Sequence, residues 1–186
     1  NPKGWASFNV VLAYPLGMQQ TVFKETTAPY AGNAAAKIVT QPVPALAQVQ
    51  GYDTVGLLII GSVDVTKAKI NYGAPYTNRP EFVNFATKYQ PNTSDTGFVQ
   101  VQITRFNTTT NISETIATGT WNTSATTTTW TPTALKLTYD PALKNAAPDS
   151  IRIFVSSSSL FKPKVGSTLF IDDVGFSGYV STNDIN

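Results

Sequence analysis

Alternation with a period of two is the feature of this chain that most narrows its fold. Val99, Val101 and Ile103 alternate with Gln100, Gln102 and Thr104. Ile151, Ile153 and Val155 repeat the pattern with Arg152 and Ser156 on the other side, and Leu135, Leu137 and Tyr139 do so around Lys136 and Thr138. Successive side chains of a strand point to opposite faces, so each segment reads as a strand packed on one face and wetted on the other. Leu57 to Ile60 is apolar throughout and reads as a short, fully buried strand. Val63 and Val65 resume after Gly61, which marks a bend or bulge. Further strands are expected over 5–10, 20–24, 35–40, 82–89, 112–118, 126–131 and 167–176.

Turn signals fall between these segments: Tyr14-Pro15-Leu16-Gly17, Pro42-Val43-Pro44, Gly73-Ala74-Pro75, Pro91-Asn92, Asp95-Thr96-Gly97, and Asp140-Pro141 through Pro148. No window of helical length carries apolar residues at helical spacing, and only residues 142–147 have the makings of one helical turn. About eleven short strands with regular turns specify an all-β sandwich or barrel. The Thr-rich tract 118–133 carries Trp121 and Trp130 and reads as a hairpin with long polar strands.

The 186 residues fit one domain spanning 1–186, or a piece of a longer exported protein whose leader is gone. Charged residues make up only 13% of the chain, so its surface is solvated by the hydroxyls and amides of Thr, Ser, Asn and Gln. That profile suits a secreted or cell-surface β protein. A net charge of +2 with no basic run gives nucleic acid nothing to bind, and no apolar stretch reaches the length of a membrane span. The chain has no Cys and no His, which removes disulfides, Ser-His-Asp and Cys nucleophile chemistry, and ordinary zinc sites. Catalysis, if present, would run on carboxylates, a Lys, a Tyr or an oxygen-bound cation.

Two groups of residues stand out as binding candidates. Sugars are held by flat aromatic faces flanked by amides and charged groups. Trp121 and Trp130 lie in a polar context, while Tyr72 and Tyr76 lie in a Gly/Pro loop with Asn78 and Arg79 close by. Against this, Trp and Tyr are usually part of a core, and Phe85 and Tyr89 share a strand face with Val83 and belong there. Arg79 reads more readily as a structural residue that bonds loop carbonyls or pairs with Asp64 or Asp95. Hydrolysis of a glycoside needs two facing carboxylates. Glu81, Asp95, Asp64 and Asp172 supply many combinations and no catalytic motif.

Pro75-Tyr76-Thr77-Asn78-Arg79-Pro80 is followed by Phe85, by Lys88-Tyr89-Gln90-Pro91 and by Asp95; later come Ser150 to Ser159 and then Gly166 to Val174, closing on Ile171-Asp172-Asp173-Val174. This order resembles the carbohydrate metabolism domain of Bacteroidota, a jelly-roll domain similar to galactose-binding and other carbohydrate-binding modules. The stretch from Tyr30 to Ile38 resembles an early strand of such modules. The resemblance implies a jelly-roll sandwich of two antiparallel sheets and a connection to carbohydrate, with no catalytic residue to carry over. It also implies a structural calcium site at Asp172 and Asp173, where the alternation slips and a bulge is expected. The alternative is an Asp accepting backbone N–H bonds. The reading is a non-catalytic module that binds a polysaccharide or other glycan. Its alternatives are a structural or adhesin module that binds other surface proteins, and a glycoside hydrolase using paired carboxylates.

Overall fold

A computed structural model of the chain describes residues 2–7, 9, 19–42, 54–64, 69–181 and 183. Val65, the turn signals at 14–17 and 43–44, and the side chains of Val63 and Asp64 lie outside what is described. In chain order the strands are β1 (Trp5–Ser7), β2 (Val22–Glu25), β3 (Ala35–Val39), β4 (Gln41–Pro42), β5 (Thr54–Val55), β6 (Leu57–Asp64), β7 (Lys69–Tyr72), β8 (Ala74–Pro75), β9 (Pro80–Gln90), β10 (Gly97–Asn107), β11 (Ile112–Thr123), β12 (Thr127–Lys136), β13 (Thr138–Tyr139), β14 (Ser150–Ser156) and β15 (Thr168–Tyr179). One 3-10 turn, Pro141–Leu143, follows β13, and the Asp140 side chain caps it by accepting the Ala142 N–H.

The strands form two main sheets. The larger runs β1-β6-β14-β10-β11-β13, with β7 on β6 and β8 on β14; the smaller runs β12-β9-β15-β3-β2. Every described pairing is antiparallel. The chain repeatedly changes sheet: β9 to β10, β11 to β12, β12 to β13 and β14 to β15 all cross between the layers. Antiparallel sheets joined by such crossings make a jelly-roll sandwich.

The alternation places the core as the sequence implies. Val99, Val101 and Ile103 from β10, with Ile151, Ile153 and Val155 from β14, meet Val83, Phe85 and Tyr89 from β9 and Leu169 and Ile171 from β15. Gly61 sits at φ 148 and pairs with Tyr72; a Cβ there would stand 2.2 Å from the Asn71 carbonyl oxygen, so only glycine lets β7 close on β6. The alternation around Leu135, Leu137 and Tyr139 belongs to two strands. β12 leaves the small sheet at Lys136 and β13 joins the large one at Thr138, with Leu137 buried at the corner.

The tract 118–133 is not a hairpin. β11 pairs with β10 in the large sheet and β12 with β9 in the small one, so the two strands face each other across the core. Inward side chains decide this. Trp121 meets Phe85 edge-on at 5.5 Å, and a Cβ on Gly119 would lie 2.8 Å from Leu137 Cδ2, a fit available only face to face.

Candidate functional site

The outward face of the large sheet carries the polar half of the alternation, and register aligns it into rows. Gln100 stands opposite Phe154 on one side and Thr120 on the other; Gln102 stands opposite Arg152 and Thr118. Three neighbouring strands therefore present two amides, two hydroxyls, one guanidinium and one ring. Tyr72, at the end of β7, stacks on Phe154 with ring centroids 5.4 Å apart and planes 28° from parallel. Phe154 is the half-buried floor of this stack, and Tyr72 remains 47% exposed. The Arg152 stem runs close to the backbone of Gly73, at φ 92, and Nη2 donates to Ser113 Oγ at 3.0 Å. No carboxylate pairs with Arg152 among the described residues.

Flat aromatic surface beside amides, hydroxyls and a guanidinium is the donor and acceptor set that sugar hydroxyls and pyranose faces need. Thr118 Oγ1 donates to the Val101 carbonyl at 3.3 Å, which leaves its lone pairs free to accept. Of the residues on this face, reasoning on the sequence singled out only Tyr72. Gln100, Gln102 and Arg152 were visible as the wetted half of an alternation, but their alignment depends on pairing between strands far apart in the chain.

The other sequence candidates lie elsewhere. Trp121 points inward and packs against the core. Tyr76 packs half-buried on Phe176 at 5.1 Å. Arg79 lies 5.0 Å over the Tyr139 ring, and its Nη1 donates to the Ala146 carbonyl at 2.8 Å; the Tyr139 hydroxyl donates to the Pro80 carbonyl. Burial raises the Tyr139 hydroxyl well above the usual phenol range, with the Arg79 charge opposing it. Asn78 is exposed beside this cluster. The six aromatic, amide and guanidinium candidates thus divide among the core, both outer faces and one end of the sandwich.

Trp130 lies on the outer face of the small sheet. Its Nε1 donates to the Ala28 carbonyl at 3.0 Å, and Tyr30 packs on it at 6.0 Å. Lys88 Nζ stands 4.5 Å over the Trp130 ring and 4.8 Å over Phe170, with Lys37 Nζ over the same Phe170 at 5.7 Å. The indole therefore clamps the loop between β2 and β3 and is covered by an ammonium.

Asp172 pins the same loop. Its Oδ2 accepts the N–H groups of Tyr30 at 2.8 Å and Ala31 at 3.0 Å, and Oδ1 accepts that of Asp173 at 2.8 Å. Register slips between Asp172 and Gly175, and Asp173 turns left-handed at φ 52 with its side chain in solvent. Calcium takes six to eight oxygens. Among the described residues no three or more carboxylates gather, and three N–H donors already occupy the Asp172 oxygens. As placed, the Asp172 carboxylate serves backbone N–H groups, and the Asp173 carboxylate stands in solvent.

Asp95 is buried, and it ties the loop between β9 and β10 to both ends of the loop between β14 and β15. Its carboxylate accepts from Ser158 Oγ at 2.6 Å, Ser167 Oγ at 2.5 Å, Thr96 N at 2.7 Å and Ser159 N at 3.2 Å. Burial pushes its pKa up, but these four bonds outweigh burial and hold it below the usual carboxylate range.

No protein-family model matches the sequence, and no curated protein matches it. Solved structures do. A candidate glycoside hydrolase from Bacteroides thetaiotaomicron overlays with a TM-score of 0.76 at 20% identity, over 95% of this chain and 63% of that one. Another from Bacteroides vulgatus overlays with a TM-score of 0.74 at 18% identity, over 93% of this chain and 85% of that one. The shared feature is the fold. This chain spans less than two thirds of the first of these proteins. A xylan-binding domain from Paenibacillus barcinonensis overlays with a TM-score of 0.49 at 9% identity, over 95% of this chain and 92% of that one.

Proposed function

We propose that this jelly roll is a non-catalytic carbohydrate-binding module, and that it holds a polysaccharide on the outer face of the large sheet. The observation that carries the reading is the Tyr72–Phe154 stack, with Tyr72 exposed beside the aligned Gln100, Gln102, Thr118, Thr120 and Arg152. Tyr72 offers its ring to a pyranose face, and the two rows offer hydrogen bonds to hydroxyls along a chain of sugars. The resemblance to the Bacteroidota carbohydrate metabolism domain agrees with this reading, as does the likeness in fold to two Bacteroides proteins named for glycoside hydrolysis. Both agree with a secreted or cell-surface bacterial protein. No helix among the described residues is long and apolar enough to cross a membrane.

Affinity electrophoresis through gels cast with plant, algal and host polysaccharides tests the proposal. Retardation by at least one polysaccharide, lost in Tyr72→Ala, is the expected result. Migration unchanged in every gel overturns it.

A further inference from the structure

The loop between β14 and β15 carries an apolar tip that the fold holds out into solvent. Phe161 is 96% exposed, Leu160 67%, and Val165, where the loop returns, 40%. Aromatic and leucine side chains so exposed gain nothing from folding, and grouped together they mark a contact made with something else. The base of this loop is anchored. Ser158 Oγ donates to Asp95 and accepts the Lys164 N–H at 2.8 Å. Asn92 Nδ2 donates to the Val165 carbonyl at 2.7 Å, and the Gly166 N–H donates to the Thr40 carbonyl at 2.8 Å. One buried carboxylate network therefore gathers both ends of the loop, and Pro163 restricts the backbone between them.

The charge within the loop has one sign. Lys162 and Lys164 are exposed on either side of Pro163, and no acidic residue occurs between Ser156 and Ser167. Asp95, the nearest carboxylate in the network, is buried beneath it.

We propose that this tip docks on an anionic lipid surface. Leu160 and Phe161 enter the boundary between headgroups and acyl chains, while the ammoniums of Lys162 and Lys164 meet lipid phosphates. Size and charge select this occupant. A stable protein interface buries about 800 Å² on each partner. Three apolar side chains on one loop present far less. A bilayer needs no complementary pocket; its attraction scales with apolar area inserted and with cationic charge at the surface. The pre-formed loop loses little freedom on insertion. Each apolar side chain contributes on the order of tenfold or more to partitioning, and each lysine about fivefold at low salt. The contact is weak and reversible, suited to orienting a protein already at a cell surface. It is independent of the glycan-binding face on the large sheet.

Co-sedimentation with vesicles tests it, using phosphatidylcholine alone and equal parts of phosphatidylcholine and phosphatidylglycerol. The chain should sediment with the mixed vesicles, less so at high salt, and stay in solution with phosphatidylcholine alone. Leu160→Ser with Phe161→Ser should lower partitioning about a hundredfold, and Lys162→Gln with Lys164→Gln about twenty-five-fold at low salt. Both double variants should melt as the parent does, because the altered side chains are exposed. Absence of binding to mixed vesicles overturns the proposal, as does binding that neither variant reduces. A self-association of the chain that the apolar variant abolishes also overturns it, by assigning the tip to a second copy.

Discussion

Phe154 supports Tyr72 on the outer face of the large sheet, the two rings lying 5.4 Å apart and 28° from parallel. β14 supplies the floor and β7 the exposed lid of this stack, from positions 82 residues apart in the chain (154 − 72). Tyr72→Ala should weaken polysaccharide binding by roughly 1–3 kcal/mol, tenfold or more, while changing Tm little because the ring is half in solvent. Tyr72→Phe keeps the flat face and should keep most of the affinity. Isothermal titration of both variants against the polysaccharide that retards the parent checks this. Equal affinity in Tyr72→Ala would remove Tyr72 from the site.

Trp121 gives the opposite readout. It packs edge-on against Phe85 at 5.5 Å, inside the sandwich. Trp121→Ala should cost about 3 kcal/mol of stability by leaving a cavity between the sheets. The fraction that remains folded should bind polysaccharide as the parent does. Urea unfolding followed by binding at low temperature separates the two effects.

Asp95 makes stability depend on acid. Its four bonds hold the folded carboxyl below its unfolded pKa of about 3.9. Stability from this group is therefore complete above the unfolded value and is lost as pH falls through the lower folded one. Tm should stay level from neutral pH down to about pH 5 and then drop. Asp95→Asn should be less stable by about 3 kcal/mol at neutral pH, since the hydroxyl donors lose a charged acceptor. Its Tm should also fall less steeply in acid. An unchanged acid profile in the variant would assign the drop to other carboxylates.

Asp172 holds the loop between β2 and β3 through the Tyr30 and Ala31 N–H groups. Asp172→Ala should speed amide exchange at both residues and lower stability by about 1–3 kcal/mol. Because three N–H groups already bond this carboxylate, added calcium or a chelator should leave the parent Tm where it is. A native-state ion would raise it by mass action, so a rise with calcium would show that a cage forms there after all.

The division between sequence and tertiary structure follows from the range of the forces involved. Alternation is local: Val99-Gln100-Val101-Gln102-Ile103 must put its valines and isoleucine on one face whatever it pairs with. The longer strands, the core of β9, β10, β14 and β15, the bend at Gly61 and the slip at Asp172 were therefore legible in advance, whereas β7 and β8 read as a Gly/Pro loop and are strands. Which strands pair was not local. The tract from Thr118 to Thr133 reads as a hairpin because its strands adjoin in sequence, yet Trp121 and Gly119 send them to opposite sheets by what they pack against. The binding face depends wholly on pairing. Gln100, Thr120, Phe154 and Tyr72 come from four strands, and only sheet register and the pairing of β7 with β6 bring them together. A residue's face was written in its neighbours along the chain; its company on that face was decided by backbone hydrogen bonds between distant segments.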